Sequence, residues 1–206
     1  MKIPVVKIPS REEASKILEE ASNLNPGPWV EHSRRVGQAA EVLARHIDGL
    51  DPDMAYVFGL LHDIGRRNGI HKMRHGLDGY NYLMSLGYTS VARVCLTHTS
   101  FLHDNESVIV GTWDGSREEY VEAISVLITY EENDYDKLIK LCDYISLPSG
   151  FCLLEKRLVD MSRRGGINEL TLPRWESTFR IKDYFECKLG FSIYELLPGV
   201  IDNTFD

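Results

Sequence analysis

The sequence predicts an all-α fold, and two features of the chain support that prediction. Apolar residues recur three and four positions apart over most of the 206 residues, a spacing that places them on one face of a helix. Capping residues and helix breakers separate these stretches. No stretch alternates apolar and polar residues in the manner of a half-buried strand. The length suits one domain, or one domain with an appendage.

The first two helices have clear start signals. Residues 1–10 are expected to be extended, and Ser10 with Glu13 has the spacing of a capping box, so a helix is predicted from Arg11 to about Asn23. After a Pro- and Gly-rich break, the second helix begins near Pro28. Its apolar stripe contains one histidine. The stripe consists of Trp29, His32, Val36, Ala39, Ala40, Leu43 and Ile47.

A third helix is predicted from Asp51-Pro52-Asp53 to Gly65, with His62 and Asp63 near its end. Its buried stripe consists of Met54, Val57, Phe58, Leu61 and Ile64. The further predicted helices are 75–87, 90–98 capped by Thr89, 117–130, 135–147, 151–162 and 171–190. Residues 101–116 are predicted to be an irregular loop that serves as a lid or specificity segment, and the tail is expected to pack through Phe191, Tyr194 and Leu197.

Composition excludes several classes of protein. The net charge of -8 argues against a nucleic-acid polymer as partner, but allows a small anionic substrate where basic residues cluster. The N-terminus has no signal-peptide core, and no apolar run approaches the roughly 20 residues of a membrane span. We therefore expect a cytoplasmic protein without a membrane partner.

Four cysteines without C-x-x-C spacing are expected to be reduced core residues: Cys95, Cys142, Cys152 and Cys187.

The doublet of His62 and Asp63 is the first candidate for chemistry. Adjacent residues on a helix point about 100° apart, so both can serve one centre only if it lies near the helix end. A metal ion fits that demand, because imidazole and carboxylate are both ligands and an aspartate can bridge two ions. The alternative is a capped helix end with a solvated aspartate.

Other polar residues lie on apolar faces of predicted helices. His32 lies inside its stripe, and the alternative to a metal ligand is a hydrogen-bonded core histidine. His98 closes a helix, where a histidine also interacts favourably with the helix dipole. Asp143 stands inside an apolar run, where a carboxylate is costly unless it is paired with an arginine or bound to metal. His75 opens a helix beside the doublet.

A basic loop follows the doublet. Six basic side chains fall within ten positions of an acidic protein, which favours an anion site over a solvated loop. These residues are Arg66, Arg67, His71, Lys72, Arg74 and His75.

The order of these residues resembles the HD-domain superfamily of metal-dependent hydrolases. The resemblance covers roughly residues 26–160 and rests on three segments: Glu31–Val36 around the first histidine, Leu60–Gly65 around the doublet, and Leu141–Ile145 around the last aspartate. It implies a helical bundle over 26–160, preceded by an extension with a short helix over 1–25 and followed by C-terminal helices over 161–206.

The resemblance also implies a ligand set. His32, His62, Asp63 and Asp143 would hold a first ion, and Asp63 would bridge to a second held by His75 and His98, as in the branch of the family with two extra histidines. The gap of 12 residues from Asp63 to His75 is short for that branch. This leaves open whether His71 takes part or the second ion is weakly held.

The implied cofactor is one or two divalent transition metal ions, and iron, manganese, cobalt and zinc all suit the ligands. The implied activity is hydrolysis of a nucleotide or other small phosphate ester by metal-activated water. Asp63 and Arg66 are the expected catalytic residues. Arg66 stands where the family often has a phosphate-binding lysine. Further phosphate contacts are expected from Arg35, Arg67, Lys72 and Arg74.

Alternatives remain at this point. The same six ligands would serve a di-iron oxygenase of this fold, and a regulatory module that binds a nucleotide without turnover is a third interpretation. No dedicated general acid is evident, although His71 or His103 could protonate a leaving group. A homodimer is one of the oligomeric states that the sequence leaves open.

Overall fold

A computed structural model of the chain describes residues 7–103 and 106–205. Helices dominate these ranges, and the all-α prediction is confirmed. None of the helices described there is long and apolar enough to cross a membrane. The helices are α1 (Arg11–Leu24), α2 (Trp29–Ala44), α3 (Pro52–Leu61), α4 (His75–Ser85), α5 (Thr89–Thr97), α6 (Arg117–Leu127), α7 (Asp134–Tyr144), α8 (Leu154–Gly165), α9 (Thr171–Leu189) and α10 (Val200–Phe205).

Two small antiparallel hairpins occur where the sequence analysis expected irregular chain or helix. Strand β1 (Ser100–His103) pairs with β2 (Glu106–Ile109), and β3 (Ser146–Leu147) pairs with β4 (Gly150–Phe151). The strands of the second hairpin have two residues each, too few to show the alternation by which a strand is recognised. The predicted helix over 135–147 therefore ends at Tyr144, and the one predicted from Phe151 begins at Leu154.

Helix ends differ from the prediction at further places, among them α6, which ends at Leu127, and α8, which extends to Gly165. Helix α3 ends at Leu61, and the chain continues as a 3-10 turn over Ile64–Asn68 instead of a regular helix to Gly65. Thr89 is the first residue of α5 and not its cap, since no side chain caps that helix. The extended stretch predicted over residues 1–10 falls, for residues 1–6, outside the described residues.

Side-chain caps fix the starts of α1, α3, α6 and α7. The predicted capping box of Ser10 and Glu13 is present at α1. A second box, Asn133 with Asp136, starts α7, and Asp51 accepts a hydrogen bond from the backbone N–H of Met54 at α3. Each cap pairs a backbone donor that the helix itself leaves without a partner.

Helices α2 and α3 form the centre of the bundle. They pack extensively against each other, and α7 lies across both. The two backbones approach closely at Gly37 and Gly59, where a Cβ added to Gly59 would lie 2.8 Å from the Cα of Gly37. The stripe predicted on α2, including His32, is buried. This packing brings the start of α2, the end of α3 and α7 to one place.

The tail and the cysteines depart from expectation at single residues. Leu197 is buried, as predicted for the tail, but Phe191 is exposed, and Ile193 and Val200 make the buried contacts instead.

All four cysteines are free thiols, and three are buried; Cys187, on the outer face of α9, is exposed. The prediction that it is a core residue is wrong, because α9 covers the bundle with one face only.

Replacing Gly59 by alanine tests the close approach of α2 and α3. The new methyl group would meet only backbone atoms, Gly37 Cα, Gly37 N and Val36 O, each at 2.8 Å, so the helices must separate. We expect a loss of about 1–3 kcal/mol or more in the free energy of unfolding, measured by chemical denaturation. Gly165→Ala is the matched control, because no atom lies within 4 Å of the added Cβ there. Equal stability of the two variants would contradict the packing.

Candidate metal centre

His62 and Asp63 lie where the backbone turns at the end of α3. His62 has helical torsion angles, whereas Asp63 has φ -100° and ψ 13°, in the sparsely populated bridge region where active-site residues are often found. The turn lets two adjacent side chains face one buried centre. Asp63 is 3% exposed and His62 is fully buried.

Three imidazole rings are oriented by backbone carbonyls. Each donates a hydrogen bond through Nδ1, so that in the neutral ring Nε2 carries a free electron pair toward the centre. Such a second hydrogen bond fixes the tautomer of a metal-binding histidine. The pairs are His62 with Gly59 (2.7 Å), His98 with Val94 (3.0 Å), and His75 with Lys72.

Asp63 is the residue on which these groups converge. Its Oδ1 lies 2.9 Å from His75 Nε2 and 3.5 Å from His98 Nε2. Its Oδ2 accepts a hydrogen bond from Arg66 Nε at 2.6 Å and lies 3.9 Å from His62 Nε2. Burial raises the pKa of Asp63, but the positive charge of Arg66 and the neighbouring histidine rings lower it, and the net pKa lies well below its usual range. Asp63 is therefore a carboxylate with one oxygen toward each part of the cluster.

His32 and Asp143 complete the cluster from α2 and α7. His32 Nε2 lies 2.9 Å from Asp143 Oδ1, and His62 Nε2 lies 3.9 Å from the same oxygen. Burial raises the pKa of Asp143, yet the hydrogen bond and charge of His32 reverse this, and the net pKa is lowered. Asp143 is thus also ionised, and the centre holds two carboxylates.

The donor set fits a metal ion. Three overlapping groups have ligand atoms that all lie within 4.8 Å of one another. Burial lowers the pKa of His62 to about 4 and also lowers that of His75, so both are neutral at physiological pH. His62 Nε2 is buried without a hydrogen-bond partner among the described residues, and His75 Nε2 lies 3.2 Å from His98 Nε2. Electron pairs that face one another in a buried site favour a cation between them.

The short gap between the doublet and His75 is accommodated by glycine. A Cβ added to Gly65 would lie 2.0 Å from the carbonyl oxygen of His75 and 2.4 Å from the backbone nitrogen of Gly79. The 3-10 turn therefore lies directly on the first turn of α4. His71 has its ring Nδ1 3.5 Å from Asp114 Oδ2 and belongs to none of the three groups of candidate ligands.

A cavity of about 290 Å³ opens onto the cluster. Candidate ligands form its floor, with Arg66 beside them, and apolar and aromatic side chains form much of its wall. Burial raises the pKa of Tyr144 in that wall to about 12, so it remains a hydrogen-bond donor at neutral pH. The lining residues are Pro28, Trp29, His32, Asp63, Arg66, Met73, His75, His98, Thr99, Val110, Asp143, Tyr144, Pro148, Arg157, Met161 and Arg164.

Comparison with known families identifies this arrangement. The family model of the HD domain matches residues 29–147, more than half of the chain and the whole segment that carries the cluster. The chain belongs to the HD domain family. The HD domain indicates the superfamily of metal-dependent phosphohydrolases and binds divalent metal ions, in agreement with the donor set. No curated protein and no solved structure matches the chain significantly.

Four of the five basic residues singled out in the sequence do not line the cavity. The guanidinium of Arg35 contacts Gln38 and Glu31, that of Arg67 stacks 3.9 Å from the centre of the Tyr82 ring, and that of Arg74 pairs with Asp78 and Glu119. Lys72 donates its backbone N–H to Asp114. Arg66 alone of the five faces the cavity. The side chain of His103 and all of Asp104 lie outside the described residues.

Two arginines in the wall were missed by sequence reasoning. Arg157 and Arg164 lie on α8, beyond the end of the HD domain match at residue 147. Their spacing of seven residues, two helical turns, puts them on one face of a helix. That pattern was visible in the sequence, but nothing there showed that this face of α8 meets the cluster. Asp114, which accepts hydrogen bonds from the loop before His75, was also missed.

Metal should stabilise the folded chain, because it binds the assembled cluster and not the unfolded state. At an ion concentration 100-fold above the dissociation constant, the gain is about 2.7 kcal/mol. For a chain of this size that gain raises the melting temperature by about 5–10 °C, measured by comparing chelator-treated with manganese- or zinc-loaded protein. His62→Ala should abolish the shift, whereas His46→Ala, at an exposed histidine of the same protein, should retain it. A melting temperature that does not respond to metal would rule out the centre.

Proposed function

We propose that the chain hydrolyses a small phosphate ester, such as a nucleotide, by water activated at a divalent metal centre. One observation carries the proposal: in a buried cluster of four histidines and two ionised aspartates, every member except His62 lines a small cavity, with Arg66 beside them. A cavity of about 290 Å³ lies at the lower end of the range for small-molecule sites, about 300–1,000 Å³. The size supports a mononucleotide or smaller ester and not a polymer.

The positions of the ligands support two ions that share Asp63. His32, His62, Asp63 and Asp143 would hold the first, and Asp63, His75 and His98 the second. The two oxygens of Asp63 face different histidines, Oδ1 toward His75 and His98 and Oδ2 toward His62. Bound ions of this kind lower the pKa of a bound water and stabilise negative charge on phosphoryl oxygens.

Arg66 would bind the reacting phosphate. Its Nε is used by Asp63 and its Nη1 by the carbonyl of His71 at 3.1 Å, which leaves three of the five guanidinium N–H donors. Burial lowers the pKa of Arg66, but the Asp63 charge more than compensates and the pKa is raised, so the group stays cationic. Its fixed position beside the cluster suits charge-assisted hydrogen bonds to phosphate oxygens.

The ligand set by itself serves an oxygenase equally well, and the basic residues favour phosphate hydrolysis but would also serve an oxygenase that acts on a phosphonate. The guanidinium of Arg66 beside the candidate ligands matches the negative charge that grows on a phosphoryl group during hydrolysis. A regulatory module would need the anion site but not an intact set of ligands. Phosphate hydrolysis uses both features.

Substitution of Asp114 tests whether a second metal ion binds at His75. It accepts hydrogen bonds from the backbone N–H of Lys72 at 2.7 Å and of Arg74 at 3.1 Å, and the carbonyl of Lys72 accepts from His75 Nδ1. Asp114→Ala frees this loop and thereby the His75 ring. We expect about 10–100-fold weaker binding of the second ion, the usual cost of losing such outer support, with the first retained, measured by metal titration. Asp48→Ala, at an exposed loop position, is the control; unchanged binding of both ions in Asp114→Ala would contradict the role.

Substitutions of Arg66 and Asp63 test the proposed hydrolysis of phosphate esters. Asp63→Ala should abolish turnover, because it removes the carboxylate shared by both parts of the centre. Arg66→Ala should keep the metal and lose on the order of 100-fold or more in kcat/KM, and Arg66→Lys should recover part of that loss. Turnover is measured on a nucleotide panel, with Arg180→Ala, an exposed arginine of α9, as control. Wild-type rates in Arg66→Ala would refute its role, and oxygen consumption without phosphate release would move the assignment to an oxygenase.

A further inference from the structure

Helix α8 presents one face to the cavity. Arg157, Met161 and Arg164 all line it, and their spacing of four and three residues is that of a single helical face. The helix follows the segment matched by the HD domain, which ends at residue 147. The wall that α8 supplies is therefore an addition to the family core and not part of the ligand set.

The two arginines of this face lack carboxylate partners. No Asp or Glu of the described residues lies within 4.0 Å of either guanidinium, whereas Arg66, Arg74 and Arg93 are all ion-paired. The Nε of Arg157 is buried without a hydrogen-bond partner in the described part of the chain, and that of Arg164 has only a long contact of 3.4 Å with the Asp160 carbonyl. In a chain of net charge -8, two arginines without carboxylate partners make this part of the cavity wall locally positive.

These cations are separate from Arg66. The Arg66 guanidinium is held at the metal cluster, where its Nε donates to Asp63 at 2.6 Å and its Nη1 donates to the carbonyl of His71. Arg66 and the two arginines also come from different elements, the 3-10 turn after α3 and α8. One phosphate group at the metal centre would engage Arg66, which leaves the α8 arginines available to a different part of the same ligand.

We propose that Arg157 and Arg164 form a second anion subsite, and that the substrate is a small phosphate ester bearing a second phosphate group. The inference rests on the proposed function for the site of the first phosphate. A guanidinium presents paired N–H donors in a planar fork that matches two phosphate oxygens. A buried Nε without a partner is costly to the free protein, and a second phosphate on the ligand satisfies it.

Two nucleotides that differ by one phosphate test the subsite. Metal-loaded wild-type protein should bind adenosine 3′,5′-bisphosphate at least about 10-fold more tightly than adenosine 5′-monophosphate, the smallest gain expected from a charge-assisted contact. Arg157→Gln and Arg164→Gln should each remove most of that preference by weakening only the bisphosphate, and Arg157→Lys should restore part of it. Affinity is measured by calorimetry, and KM and kcat are measured on the same pair.

Arg163→Gln is the matched control. It removes the same charge from the neighbouring position of α8 and is exposed, as Arg164 is, but it does not line the cavity, so the preference for the bisphosphate should persist. A preference lost equally in Arg163→Gln would show a diffuse effect of charge and overturn the subsite. Equal affinity of wild type for the two nucleotides, or an equal loss on both in Arg157→Gln, would also overturn it.

The binding measurement separates this inference from the proposed function. If neither nucleotide is hydrolysed but the bisphosphate is bound more tightly through Arg157 and Arg164, the subsite stands and phosphohydrolysis of these compounds fails. If both are hydrolysed at equal kcat/KM and bound with equal affinity, hydrolysis stands and the subsite fails.

Discussion

The buried carboxylate of Asp63 has to be compensated, and the arrangement of the site follows from how this is done. A carboxylate removed from water is costly unless it is paired and hydrogen-bonded. Asp63 has the guanidinium of Arg66 on one oxygen, and at the other oxygen the Nε2 atoms of His75 and His98, which as electron-pair donors would share a bound cation with it. These partners come from the turn after α3, from α4 and from α5, so the elements must meet at Asp63 for the charge to be accommodated.

Packing at a distance from the cluster keeps those elements together. Asp136, on α7, is 1% exposed and accepts hydrogen bonds from Arg93 and Thr97 of α5. This buried pair ties α5, which ends beside His98, to the helix that carries Asp143. The contact of Gly65 with the first turn of α4 fixes His75 in the same way. Helix ends placed by such contacts can hold ligands within the short distances that a metal ion requires.

The cavity joins the candidate metal centre of the HD domain to a wall that the HD domain match does not include. The floor carries the candidate metal ligands and Arg66, and α8 adds two arginines without carboxylate partners in the described part of the chain. On the proposed function, the floor would carry the chemistry and α8 would contribute to the choice of substrate. A wall built from one face of a helix can change its charge by single substitutions without disturbing the buried floor, because the floor is held by α2, α3, α4, α5 and α7.

The sequence by itself determined the helical class, the family and the set of residues that the fold gathers, because these depend on local periodicity and on residue types in a fixed order. His32 in its apolar stripe and the His62–Asp63 doublet are examples. Helix ends at the short hairpins were not predictable, since two-residue strands carry no periodic signal. Only the tertiary structure decided which cations face the cavity. Arg67 and Arg74 are close to the doublet in sequence, but they lie against Tyr82 and Glu119 respectively. Arg157 is about 90 residues further along the chain, yet it lines the cavity. The direction of a long side chain is set by the elements packed around it, and that information is not local in the sequence.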